Sequence, residues 1–136
     1  MIFATNQYDL EMFCQVLNYA PTPGFRGMKQ VIDDKIYAMV GWDRWTPNSV
    51  EAHIVVANPR GMTKQFLVEI FKYAFITANK NLIVGITRGN NEESLEFNRR
   101  VGFTEKYRIV DGWEDGVDMV VQEMRKDECR WIRSIH

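Results

Sequence analysis

The sequence predicts one mixed α/β domain, a central and mostly antiparallel twisted sheet flanked by helices. Three observations carry that expectation. The 136 residues suffice for a single core that buries roughly two-thirds of the unfolded surface. Short runs of strand character recur, separated by tight turn signals. Between them lie segments whose apolar residues return at helical spacing. The domain is expected to span residues 1–136, with a charged tail from about 125 to 136.

Residues 2–5 read as a first short strand. Leu10, Phe13, Cys14 and Leu17 then repeat with helical period, with Asp9 as the expected N-cap. Pro21-Thr22-Pro23-Gly24-Phe25-Arg26-Gly27 ends that helix and forms a loop that either borders a pocket or simply connects. Residues 31–32, the turn Asp33-Asp34, residues 35–42, the turn Thr46-Pro47-Asn48 and residues 50–56 read as three antiparallel strands. Asn58-Pro59-Arg60-Gly61 stops the third strand. Thr63 opens a helix in which Phe66, Leu67, Ile70, Phe71, Ala74, Phe75 and Ala78 make a broad apolar stripe. Residues 82–87 form a continuous apolar run, the pattern of a strand covered on both faces. Asn91 is placed to cap the helix that follows, and Gly102 to end it. Residues 105–110, a Gly-containing turn over 111–116 and residues 117–124 close the sheet as a hairpin.

Lys+Arg at 17 against Asp+Glu at 18 gives a net charge of -1, which argues against a phosphate backbone as partner, so no nucleic acid is expected. Cys14 and Cys129 stand far apart with no metal-ligand spacing, so no metal is expected and a reducing compartment is. No basic-then-apolar leader is evident, and no apolar run approaches the roughly 18 residues that cross a bilayer. The expectation is a cytoplasmic protein without membrane contact. The tail, with Trp131 among its charges, is expected to pack on its own domain or on a second copy, which leaves a homodimer open.

The spacing Asn91-x-x-Ser94-x-x-Phe97-x-x-x-x-Gly102-Phe103 resembles the closing motif of the GCN5-related N-acetyltransferase (GNAT) superfamily. The order of elements is similar to that fold over nearly the whole chain. Residues 41–56, Asp111-Gly112-Trp113 and residues 123–131 look like those of a small GNAT group found in phages and prophage-bearing bacteria. The resemblance implies transfer of an acyl group, acetyl foremost, from acyl-CoA to an amine-bearing small molecule or protein, by direct attack in a ternary complex. It further implies that backbone groups of Val55 and Val56 pair with the acyl carbonyl and the pantetheine arm. Arg60, Gly61, Met62, Thr63 and Lys64 would hold the pyrophosphate at a helix N-terminus, where partial positive charge and free donors suit an anion. Asn91 and Ser94 would reach the pantetheine from the other wall; helix capping explains both equally well.

Two features depart from the family pattern, at three positions. Thr63 and Gln65 stand where small residues are expected, and Asn98 stands where Tyr commonly protonates the leaving thiolate. A carboxamide donates a hydrogen bond but gives up no proton at neutral pH, so Asn98 is expected only to position the thioester or thiol. For the base, alternation along the strand puts Glu51, His53 and Val55 on one face, and histidine is the residue type whose reference pKa suits proton transfer at neutral pH. His53 and Glu51 are therefore the catalytic candidates. Phe25, Trp42, Trp45, Trp113, Glu114 and Asp115 lie in segments that would shape an acceptor pocket, a mix that suits a cationic amine. The departures leave a second reading open, a catalytically degenerate GNAT-type scaffold working as a binding or virion-associated protein.

Overall fold

The computed structural model describes residues 1–133; the last three residues of the expected tail lie outside them. Seven strands form one sheet: β1 (Ile2–Ala4), β2 (Arg26–Ile32), β3 (Lys35–Asp43), β4 (Ser49–Val56), β5 (Leu82–Arg88), β6 (Thr104–Glu114) and β7 (Val117–Arg125). Helices α1 (Gln7–Leu17), α2 (Lys64–Lys72) and α3 (Glu92–Val101) flank it, and α2 runs on into a wider π turn over Tyr73–Thr77. The strand order is β1-β2-β3-β4-β5-β7-β6. Every neighbouring pair is antiparallel except β4 and β5. The expected fold class is the one observed.

Local chemistry sets the element ends. Thr63 caps α2 by accepting from Phe66 N, and Asn91 caps α3 by accepting from Ser94 N, both as expected. Gly102 ends α3 at φ 127°, a conformation that L side chains rarely adopt. For α1 the cap is Asn6 and not Asp9. Asn6 accepts from Asp9 N at 2.9 Å while the Asp9 carboxylate accepts from Asn6 N at 3.0 Å, a reciprocal capping box. Strand β2 begins at Arg26, five residues before the expected start, because its polar side chains find partners inside the fold. Lys29 pairs with buried Asp9 at 2.6 Å, and buried Gln30 donates to Thr63 Oγ1 at 3.2 Å. Asp33 and Asp34, both with φ above 50°, make the left-handed pair that suits a two-residue hairpin.

The main core lies on the sheet face covered by α2, where Val40, Trp42, Val50 and Ile83 meet Phe66, Ile70, Phe71 and Phe75. Cys129 and Ile132 of the tail close this core, and Trp131 Nε1 donates to Val101 O at 2.9 Å. The described part of the tail thus packs on its own domain. Helix α1 covers the opposite face, with Phe13 edge-on to Phe25 over Gly41. A Cβ at Gly41 would sit 2.3 Å from the Phe25 ring, so this glycine permits the approach. His53 is the cross-strand partner of Gly41, which turns His53 and its alternate neighbour Glu51 toward the α1 side.

Candidate functional site

Strands β4 and β5 pair only where Ser49, Val50 and Glu51 meet Leu82, Ile83 and Val84. Beyond those three residues they diverge, and the opening is a cleft of about 560 Å³. Ala52, His53 and Ile54 line one wall, and Ile86, Thr87 and Arg88 the other. The C-terminal end of α1 (Val16, Leu17, Asn18), the first turn of α3 (Asn91, Ser94) and the hairpin residues Trp113 and Glu114 complete it. One edge of β4 past Glu51 has no strand neighbour, which leaves backbone donors and acceptors facing the opening.

Behind the β4 wall lies a compact polar cluster. His53 Nε2 is 2.8 Å from Glu51 Oε1, yet the pair is off the line a ring N–H requires, so the nitrogen is buried without an aligned hydrogen bond. Glu51 Oε2 also lies 3.4 Å from Arg44 Nε. The Tyr19 ring packs on His53 at 4.4 Å, and its hydroxyl donates to Asp43 Oδ2 at 2.6 Å. Thr22 N donates to the same oxygen at 2.8 Å, while the Thr22 hydroxyl and Arg44 N donate to Oδ1. Burial pushes the Asp43 carboxyl up, but the donors from Thr22, Tyr19 and Arg44 outweigh it and hold it below the ordinary range. Burial, then the bond to Asp43, raises the Tyr19 phenol far above its usual value. Tyr19 is therefore held as a donor to Asp43, with its ring against the imidazole.

Of the residues expected from the sequence, His53, Asn91 and Ser94 line the cleft, and Glu51 stands directly behind His53. Val55 and Val56 continue along the open edge of β4. Arg60, Gly61, Met62, Thr63 and Lys64 form a separate group that is not on the cleft lining, and Thr63 borders a second cavity beside Ile2 and Gln30. There Gly61 is buried under Tyr37, where a Cβ would meet Tyr37 Cβ at 2.5 Å, and the Thr63 hydroxyl serves Phe66 N and Gln30. Arg60 and Lys64 are exposed, and the N–H groups of Lys64 and Gln65 find no acceptor among the described residues. Asn98 donates to Gln122 Oε1 at 2.9 Å, and buried Gln122 in turn donates to Leu95 O. This relay ties α3 to β7 outside the cleft lining.

Among the aromatic and acidic candidates, Trp113 and Glu114 reach the cleft, whereas Trp42 is core against Tyr73 and Trp45 donates to Gly24 O. Tyr19, Asp43 and Arg88 carried no local signal. The alternation of β3 and the apolar-to-basic end of β5 are the only hints that the last two face something other than solvent. Among the described residues no cluster of three or more His, Cys, Asp or Glu is arranged to hold a metal ion, and no helix is long and apolar enough to cross a membrane.

No protein-family model matches the sequence, and no curated protein matches it. Solved structures do match in fold. Mutant forms of the spermidine/spermine N-acetyltransferase SpeG from Vibrio cholerae superpose with a TM-score of 0.77 at 12% identity, covering 100% of this chain and 99% of that one. SpeG from the same organism in complex with manganese ions gives 0.74 at 13% identity, covering 92% and 91%. A dodecameric structure of the Vibrio cholerae spermidine N-acetyltransferase in an intermediate state gives 0.74 at 12% identity, covering 100% and 98%. The chain thus has the fold of these acetyltransferases, the fold expected from the GNAT resemblance.

Proposed function

We propose that the protein transfers an acyl group, acetyl foremost, from acyl-CoA to an amine by direct attack within a ternary complex. The observation that carries this reading is the parallel β4–β5 pair that parts after three residues, in a fold shared with N-acetyltransferases. The open edge of β4 around Val55 and Val56 offers an amide-bearing arm the hydrogen bonds a missing strand would make. Asn91 and Ser94 face it across the cleft. The free N–H groups that open α2, with Arg60 and Lys64, suit the diphosphate beyond the cleft end.

In the reaction the neutral amine nitrogen attacks the thioester carbonyl carbon, forming the C–N bond. The amine proton passes to His53, and Glu51 steadies the imidazolium. Collapse of the adduct breaks the C–S bond, and the CoA thiolate, a tolerable leaving group, takes a proton from water or from the imidazolium. Asn98 gives up no proton, and its bond to Gln122 holds α3, with Asn91 and Ser94, against β7. No step uses a metal. A cytoplasmic setting, where two free cysteines stay reduced, accords with this chemistry, and on residues 41–56 we place the chain with the phage- and prophage-associated group.

Calorimetric titration and thermal melting with acetyl-CoA test the reading. Acetyl-CoA at 100 times its Kd should stabilise the fold by about 2.7 kcal/mol. Neither heat nor a melting shift at millimolar acetyl-CoA would overturn the enzyme reading in favour of a binding scaffold.

A further inference from the structure

At the mouth of the cleft, Arg88 from the end of β5 and Trp113 and Glu114 from the end of β6 meet across the tip of β7. Arg88 Nη2 lies 2.6 Å from Glu114 Oε1, and its guanidinium stands 5.9 Å from the Trp113 ring centroid. A carboxylate beside an indole face is a receptor for an organic cation. Here the receptor is filled by a cation of the same chain. Glu114 is the one carboxylate on the cleft lining among the described residues. The backbone on both sides is fixed: Gly89 N donates to Asp118 O at 2.7 Å, and Asp111 Oδ1 accepts from Gly116 N at 3.0 Å in the β6–β7 turn. Only side chains need move to empty the receptor.

We infer that Glu114 and Trp113 recognise the second, non-reacting cationic group of a diamine or polyamine acceptor, and that Arg88 is an internal competitor that occupies this place until such an acceptor displaces it. The inference rests on the acyl-transfer reading and deepens it, by naming what in this chain selects the acceptor and what restrains it. The nitrogen that attacks must be neutral, so in the productive complex a monoamine leaves no charge at the mouth, whereas a diamine keeps one. Side chains of Arg88 and Glu114 are 44% and 55% exposed, so their pair is weak in water and exchanges readily for an equivalent cation. A stronger, buried pair would block the receptor and not regulate it.

The test is calorimetric titration of 1,4-diaminobutane and of butylamine, with spermidine as a longer probe, into the wild type, Arg88→Gln and Glu114→Gln, each with and without CoA. Arg88→Gln should bind 1,4-diaminobutane about three- to tenfold more tightly than wild type, the size of one exposed ion pair plus one cation–π contact. Glu114→Gln should bind it several-fold more weakly. Butylamine, which has one ammonium and not two, should change less across the three proteins than 1,4-diaminobutane does. Unchanged or weaker diamine binding by Arg88→Gln overturns the competitor role. Loss of butylamine binding in step with diamine binding overturns the charge recognition, as does an absence of diamine binding in every variant. Acetyl-CoA titrated into the same proteins keeps the two claims apart: if it binds and the diamine pattern fails, acyl transfer stands and this inference falls.

Discussion

The surroundings of His53 are set by three residues, one two positions away on the same strand and two distant in sequence. Glu51 lies at Nε2, the Tyr19 ring covers the imidazole, and Asp43 fixes Tyr19 from a buried site. His53 and Glu51 were legible because strand alternation puts them on one face. Tyr19 was not, because it follows the left-handed Asn18 that ends α1, and its link to Asp43 spans 24 positions. Asn98 was legible as a departure, but its bond to Gln122 was not, since only the β5–β7 pairing brings β7 under α3. If His53 is the base, His53→Ala should lower the acyl-transfer rate by about 100- to 10,000-fold with acetyl-CoA affinity nearly intact, because proton transfer counts in the transition state. Asn98→Ala should cost far less rate. The deciding measurement is a pH–rate profile of wild type, His53→Ala, Glu51→Gln and Asn98→Ala. Profiles of His53→Ala and Glu51→Gln that match the wild type would remove the base from β4.

Among the elements, those whose signal is local stood out in the sequence and those held by tertiary partners did not. The caps Thr63 and Asn91 and the left-handed Gly102 were each readable from one residue and its neighbours. The sequence marks only Val31-Ile32 as strand because Lys29 and Gln30 are polar, whereas Asp9 and Thr63 satisfy them inside the fold. Asn91 has two roles to separate, cap of α3 and wall of the cleft. Replacing either cap by Ala should cost about 1 kcal/mol, and the two costs should add because they belong to different helices. Urea unfolding of Thr63→Ala, Asn91→Ala and the double variant reads this. If Asn91 also holds the pantetheine arm, its variant should bind acetyl-CoA more weakly than wild type. Equal affinities would leave Asn91 a cap alone.

At the scale of the whole molecule, the order of elements was legible but the place where the sheet opens was not. Divergence after three paired residues is a property of two strands separated by helix α2, and no residue in either strand announces it. The charge that holds α1 and its following loop to the sheet is equally non-local. Asp9 meets Lys29 of β2, and Asp43 gathers Tyr19 and Thr22 onto β3. For both carboxyls burial acts upward, and the donors act downward more strongly, so each lies below its ordinary value of 3.8 when folded. A carboxyl whose folded value lies below its unfolded one stabilises fully above the unfolded value, and that stability drains away as pH falls through about 4 toward the folded value. Stability should therefore vary little from pH 7 to pH 5 on account of these groups, then fall steeply. Asp43→Asn should be destabilised at pH 7, since it leaves the donors of Tyr19 and Thr22 poorly matched, and its deficit against wild type should shrink on acidification. Urea midpoints of both proteins at pH 7, 5 and 3.5 measure this. A deficit that stays constant across the three would mean that the Asp43 charge contributes nothing to the attachment of the α1 loop.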